Sequence, residues 1–385
     1  MIPLRHTARI AIVALAAACS HSDAAALSRQ ATTRQTDSAE VRAVRQLWDA
    51  YVRAKNGRFA GNARTPSTLW SAAEQRRWPL YDLVASYVAD DAAAQVMDVR
   101  SAGPNTHEYE IVTEFRENRG GDKAAVSDVT TTVYATREDG RWVLANALPR
   151  RTVWWRRKTV APIHYVIEPG LAFDSAKAIR AAAFVDSLAD ALAVPRLDSL
   201  DFYVASSVDA ALNALGVQNP VRYGSNGGFA KPVNRQVFSG NPTLGENYRH
   251  ELAHVVVLPL IEHSPTTILA SEGLATWLGG TEGADFRGSV RSLGRYLEAH
   301  PSVTLDSVID SPSIPQAVRY TAGAVLCDML TKAEGVAAMK EFLQTSLPDV
   351  RTMLVRLLGR PWAEIGGEWR GTIDRIASGS GALPI

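Results

Sequence analysis

From Val41 the apolar residues recur at helical spacing, with Val44, Leu47, Trp48 and Tyr51 on the same stripe and Ser38 ahead of them as an opening residue. That pattern predicts an amphipathic helix. A second helical stretch follows around Leu80 to Val88, after which the period falls to two. Between Gln95 and Leu148, apolar and polar residues alternate over Glu108 to Phe115, Val126 to Thr136 and Trp142 to Leu148, the last run following the turn Glu138-Asp139-Gly140. These runs predict antiparallel strands. From Ile163 strand and helix alternate: Ile163 to Ile167 reads as a strand, Asp174 caps a helix that places Ala178, Ala182, Val185 and Ala189 on one face, and Leu200 to Val204 is again strand-like. Gly224 to Gly228 predicts a turn and Val233 to Ser239 a strand, before Asn241-Pro242 marks a change to a mainly helical pattern from Glu246 onward.

The beginning of the chain has a different character. Arg5 and Arg9 precede the nine-residue apolar run Ile10 to Ala18, which is too short for a membrane-spanning helix and has the build of a secretory signal, residues 1–19. The string Leu15-Ala16-Ala17-Ala18-Cys19-Ser20 resembles a bacterial lipoprotein box, which implies lipidation of Cys19 and attachment to a membrane in the cell envelope. Ordinary cleavage after an Ala-x-Ala site, leaving a soluble periplasmic protein, is the competing reading. Residues 20–38 carry Ala, Ser, Thr, Gln and Asp without a hydrophobic period, which suits a flexible tether. The second cysteine, Cys327, lies in an apolar helical pattern and is expected as a buried, inert thiol.

With 385 residues, 46% hydrophobic and 21% charged, the chain has an ordinary globular mixture but exceeds what one core organises. Two domains are expected, over residues 39–155 and 160–385. Lysines and arginines number 41 against 40 acids, so the net charge of +1 supplies no field for nucleic acid. Locally, Arg150, Arg151, Arg156, Arg157 and Lys158 surround Trp154 and Trp155. A membrane or nucleic-acid patch competes here with the preferred reading, a strand or connector whose tryptophans are alternately buried.

The string His250-Glu251-Leu252-Ala253-His254 carries the chemistry. Residues four apart on a helix share a face, so both imidazoles can reach one metal ion while Glu251 enters the same pocket; Leu252, Val255 and Val256 supply the buried side. Such a pattern arises by accident in roughly one comparable chain in a hundred, so it needs support. Ile268 to Leu278 predicts a second amphipathic helix, ended by Gly279-Gly280, that presents Glu272 eighteen positions after His254 and leaves room for a loop through Pro259 and Pro265. Two imidazoles, one carboxylate and an open fourth position make a catalytic zinc site, whereas closed structural sites usually add cysteines. Gly273 would let the two helices approach closely.

His-Glu-Leu-Ala-His followed by Glu272-Gly273-Leu274-Ala275 resembles the gluzincin metallopeptidases, specifically the bacterial branch with a peptidase MA-like domain. The likeness runs from about Ile163 to Arg375 and is motif-dense between Gly228 and Asp328. It implies a thermolysin-like catalytic domain, a Zn2+ cofactor held by His250, His254 and Glu272, and Glu251 as the general base. Arg319-Tyr320-Thr321-Ala322-Gly323-Ala324 is similar to the Tyr-x-x-Gly-Ala helix of zinc aminopeptidases, which implies that Tyr320 stabilises the oxyanion. Gly227 to Ala230 resembles the strand flanking the cleft in these folds, where a peptide can pair; a simple hairpin is the alternative. The Gly-x-Met-x-Asn motif that grips a free N-terminus is absent, which argues against aminopeptidase activity. Thermolysin-like enzymes place a carboxylate four residues after the glutamate ligand, and here Thr276 stands there, with Glu246, Asn247 and Asp328 as other candidates to orient a histidine. Glu262 and His263 are expected in solvent.

The N-terminal helices and curved antiparallel sheet resemble the cone of nuclear transport factor 2, a fold with no single function. The overall expectation is an α+β protein, a cone domain before a gluzincin domain, that hydrolyses peptide or protein substrates in the cell envelope. The alternative is a catalytically inactive binding or scaffold protein on the same fold.

Overall fold

A computed structural model of the chain describes residues 38–55, 68–77, 92–104, 106–116, 129–218, 227–281 and 283–379. The signal-like segment with Cys19, the tether up to residue 37 and the helix expected around Leu80 to Val88 lie outside the described residues. The fold mixes helix and sheet in an α+β arrangement. No helix among the described residues is long and apolar enough to cross a membrane.

Helix α1 (Ala39–Lys55) buries Val41, Val44, Trp48 and Tyr51, and Ser38 Oγ accepts the Val41 N–H at 3.1 Å to close its first turn. The short α2 (Ala72–Arg77) follows, and then β1 (Ala93–Ser101), β2 (Glu108–Arg116), β3 (Val129–Glu138) and β4 (Arg141–Asn146) form an antiparallel meander. Asp139 and Gly140, both at positive φ, make the tight turn between β3 and β4. The fourth strand stops at Asn146 rather than at Leu148. Pro149 has no N–H to continue a ladder, and Leu148–Arg151 forms the single helical turn α3 instead. Beyond it the two tryptophans part company: Trp155 packs partly buried against the N-terminal core, while Trp154 is 86% exposed. The expected alternate burial therefore holds for one ring, because residues 152–154 form a turn rather than a strand.

The second sheet comprises β5 (Arg156–Val160), β6 (Ile163–Ile167), β7 (Leu200–Val204), β9 (Gly228–Lys231) and β10 (Gln236–Ser239), in the order β5-β6-β7-β10-β9. Helix α4 (Ser175–Leu192) joins β6 to the parallel β7, and the Asp174 carboxylate caps it by accepting the Lys177 N–H at 3.0 Å. Helix α5 (Val208–Leu215) and the two-residue β8 (Val217–Gln218) lie between β7 and β9. A strand starting at Val233 does not form. Pro232–Asn234 is a 3-10 turn and Arg235 adopts a left-handed conformation, φ 53°, so β10 begins only at Gln236.

Because side chains alternate across a strand, the second sheet is apolar on both faces. Tyr165, Ile167, Phe202, Val204 and Val237 enter a core shared with α4 and the C-terminal helices. Val166, Tyr203 and Phe238 point the other way, into a core shared with α1 and the first sheet. On that second face Tyr203, Phe238 and Phe229 stack across β7, β10 and β9 with successive ring centroids 4.7 Å apart. Helix α5 joins the same core, and β8 pairs with β3 through Thr131↔Val217 and Thr130↔Gln218. A boundary drawn between residues 155 and 160 is thus crossed by later elements that complete the earlier core.

The remaining helices are α6 (Arg249–Ile261), α7 (Ile268–Gly279), α8 (Phe286–Ala299), α9 (Leu305–Asp310), α10 (Gln316–Leu343), α11 (Val350–Leu358) and α12 (Trp362–Ala377). Pro259 lies inside α6 and not in the following loop. In the final turn it forfeits one backbone bond, and the burial of Val255, Val256 and Val257 outweighs that loss.

Candidate metal centre

Two helices build the site. The first turns of α6 carry His250 and His254 one helical turn apart, with ring centroids separated by 5.1 Å and ring planes inclined at 74°. Leu252, Val255 and Val256, each no more than 1% exposed, anchor the opposite side of α6 in the core. Helix α7, capped by the Thr267 hydroxyl, brings in Glu272. Its Oε2 lies 3.2 Å from His250 Nε2 and its Oε1 lies 3.5 Å from His254 Nε2. One potential ligand atom from each of the three residues falls within 4.8 Å of the others, a grouping that can hold a metal ion.

The donor set fits a divalent transition metal. Two neutral imidazole nitrogens and a carboxylate oxygen suit such an ion, and the same atoms open onto a cleft on the remaining side. The tautomer agrees. His250 Nδ1 is 2.8 Å from the Gly280 carbonyl oxygen, which can only accept, so Nδ1 carries a proton and Nε2 faces the ligand cluster.

The three groups also stabilise one another directly. Burial works against ionising Glu272, but hydrogen bonds from His250 and His254 and the charges on both rings outweigh it, holding the carboxyl well below the usual range. Burial likewise opposes a charged His250, yet Glu272 and Glu251 raise its pKa. A metal ion would compete with that proton for Nε2.

The cleft has a volume of about 470 Å³ and is walled by β9 residues Gly228, Phe229 and Ala230, by Tyr248, and by Tyr320 on α10, with Glu251 inside it. Glu251 is 6% exposed; burial pushes its pKa up although both imidazoles pull it down, and its carboxylate accepts the Ala230 backbone N–H. A buried carboxyl with a raised pKa beside a metal-ligand cluster is suited to taking up and returning a proton. Tyr320 is half-buried, and burial together with the nearby Glu272 charge raises its hydroxyl pKa, keeping it a donor.

The helix contacts differ from the expectation for Gly273. Its close partner is not α6 but α10: a Cβ on Gly273 would sit 2.6 Å from the Gly323 carbonyl carbon. The approach to α6 is made by Gly279, where a Cβ would collide with the His250 backbone nitrogen. A helix leaves its neighbours along different faces, and positions six residues apart point to different partners.

Thr276, Glu246, Asn247 and Asp328 make no hydrogen bond to a histidine among the described residues. Thr276 is fully buried and its Oγ1 has no hydrogen-bond partner among the described residues. Glu246 accepts the Asp174 N–H at 3.0 Å, and Asp328 pairs with Lys332 Nζ at 2.7 Å. Asn247 Oδ1 is buried without a partner among the described residues. The orienting group for His250 is the Gly280 backbone, which occupies φ 76°, ψ −171°, a region open essentially to glycine. In the sequence Gly280 reads only as a helix stop. Tyr248 also escapes sequence reasoning; it is 6% exposed, with its ring 6.3 Å from that of His250. Glu262 and His263 are exposed as expected.

No protein-family model and no curated protein matches the chain. The class that the site defines is accordingly a centre of two histidines and one glutamate, open to a cleft and able to bind a metal ion.

Proposed function

We propose that the chain is a zinc-dependent metallopeptidase of the gluzincin type, with a thermolysin-like catalytic unit over residues 160–385 and a cone-like domain over residues 39–155. The observation that carries this reading is that His250, His254 and Glu272 share one cleft with Glu251 and Tyr320. When bound, a zinc ion at these three ligands supplies a Lewis acid and lowers the pKa of water from about 15.7 to near 7.

The residues then divide the work. Glu251 takes the proton of the attacking water and returns it to the leaving amine, a transfer favoured by the raised pKa of its buried carboxyl. The Tyr320 hydroxyl donates to the oxygen that becomes negative at the tetrahedral stage. Gly280 holds His250 with its Nε2 toward the centre. Strand β9 forms the edge of its sheet and lines the cleft, which supports an extended peptide as the substrate. Export through the N-terminal segment, with lipidation at Cys19 or release into the periplasm, would place this activity in the cell envelope.

The test combines elemental analysis of the purified chain with a broad peptide library, in the presence and absence of a chelator. One zinc per chain and cleavage that disappears on chelation are expected. Stoichiometric zinc without cleavage of any library member would sink the peptidase reading.

A further inference from the structure

The segment that joins the two sheets leaves apolar and cationic side chains together in solvent. Val153 and Trp154 sit in the turn after α3, 54% and 86% exposed, and Arg156, Arg157 and Lys158 follow on β5, all three exposed. No aspartate or glutamate occurs between Asp139 and Glu168. The basic residues just before the turn are already matched, Arg150 by Glu108 at 2.5 Å and Arg151 by Glu110 at 3.4 Å. Arg156 donates to the Leu171 carbonyl oxygen at 2.9 Å, and Arg157 and Lys158 have no ion-pair partner among the described residues.

Strand β5 is an edge, paired with β6 alone. Residues opposite each other in a ladder share a face. Arg156 and Lys158, opposite Ile167 and Tyr165, therefore lie on the α4 side of the sheet, and Arg157, opposite Val166, lies on the other. Cations thus flank the edge on both faces, with the Trp154 indole where the strand begins. A partner with one rigid face would meet the cations of one side and leave the rest unmatched. One indole and one valine also fall far short of the roughly 800 Å² that each partner contributes to a stable protein interface, and a single exposed indole gives no platform for stacking successive bases. A broad anionic surface of mobile headgroups accepts cations from both sides of an edge that stands on it, and indole is a ring that settles at the boundary between headgroups and hydrocarbon.

We infer that this edge docks on an anionic lipid bilayer, with Trp154 and Val153 entering the headgroup boundary and Arg156, Arg157 and Lys158 lying among the phosphates. The contact is distinct from attachment through Cys19 and from the metal chemistry, and it depends on neither. It is compatible with the former. The start of α1 is tied to the same part of the first sheet, since Glu40 accepts the Tyr109 hydroxyl and the neighbouring Glu108 holds Arg150. The 18 residues 20–37 that separate Cys19 from the described fold span at most about 60 Å, so a chain anchored at Cys19 can lay this edge on the same bilayer. Each cation near an anionic surface strengthens binding about fivefold, and the three together about a hundredfold.

Flotation of the full chain with lipid vesicles tests this docking. Every sample carries Cys19→Ser, so that no acyl chain can be attached, and residues 1–18 are the same throughout. In low salt, vesicles containing phosphatidylglycerol should bind the protein at least tenfold more tightly than vesicles of phosphatidylcholine alone. Arg157→Glu with Lys158→Glu should weaken that binding at least tenfold, and Trp154→Ala several-fold. Arg291→Glu with Arg295→Glu, the same change of charge at exposed positions of α8, should leave it within about twofold. Brominated phosphatidylcholine mixed into the anionic vesicles should quench the emission that the parent has and Trp154→Phe lacks. All the substituted residues are exposed, and circular dichroism melting curves check that each variant is folded. Absence of binding to anionic vesicles overturns the proposal. So does equal binding by the two double variants, or a Trp154 emission that bromine does not quench. Retention of a single-stranded oligonucleotide by the same residues without vesicle binding would assign the cations to nucleic acid and equally overturn it.

Discussion

Gly273 and Gly323 meet backbone to backbone where α7 crosses α10, and this contact sets how far Glu272 and Tyr320 stand from each other across the cleft. A methyl group on either glycine has no flexible neighbour to displace. A Cβ on Gly273 meets Gly323 Cα at 2.8 Å, and one on Gly323 overlaps the Leu269 carbonyl oxygen. Gly273→Ala and Gly323→Ala should therefore each destabilise the fold by about 1–3 kcal/mol, the usual cost of overpacking. Urea unfolding monitored by circular dichroism measures this; stability equal to the parent in both variants would disprove the contact.

Glu251→Gln preserves the size of the side chain while removing its capacity to take a proton. Metal content should stay at the parental level and peptide hydrolysis should fall by about 10² to 10⁴. Elemental analysis and initial rates on one preparation decide it, and parental turnover in the variant excludes Glu251 as base.

Gly280→Ala attacks the orienting carbonyl. Its φ of 76° is costly for alanine, and the new Cβ would collide with the Ala284 carbonyl oxygen, so the segment must shift and release His250 Nδ1. Zinc affinity should drop by about 10- to 100-fold, as is usual when a ligand's supporting bond is lost. Competition with a chromophoric chelator reads this out, and an unchanged affinity would mean that the His250 to Gly280 bond is dispensable.

Tyr320→Phe should leave zinc binding intact and reduce kcat by roughly 10² to 10³, the range for removal of one oxyanion donor. The split between kcat and KM is the discriminating measurement. A change confined to KM would assign Tyr320 to substrate packing.

Cys327 is fully buried and its thiol pKa is raised, first by burial and then by the adjacent Asp328. Thiolate formation is thus suppressed at pH 8 in the folded chain. A colorimetric disulfide reagent should leave it unmodified until denaturant is added, while rapid labelling of the native Cys327 thiol would contradict its burial.

How much of this was legible beforehand varied with the range of the interaction responsible. Val41, Val44, Trp48 and Tyr51 announce α1 because helix periodicity is a local property, and Asp174 announces the start of α4 because a cap is made within three residues. The pairing of β8 with β3 could not be read, since two residues give no period and their partners lie more than eighty positions earlier. Nor could the split fates of Trp154 and Trp155, which depend on a turn. At the centre, Thr276 occupies the place where a carboxylate was sought, and a backbone oxygen at Gly280 does the orienting; main-chain groups are the same in every residue and leave no mark in a sequence.

By itself the sequence determined the identity of the chemical groups: two imidazoles four residues apart, a carboxylate beside the first, another carboxylate eighteen places after the second imidazole, and a tyrosine further along. Spacing along one helix is enough for the first three, because a helical turn converts sequence distance directly into direction. Tertiary structure alone decided that Glu272 reaches both rings and that the three helices close through Gly273, Gly279 and Gly323. Those relationships depend on how separately formed helices pack, which is set by shape and burial over the whole core and by no local pattern.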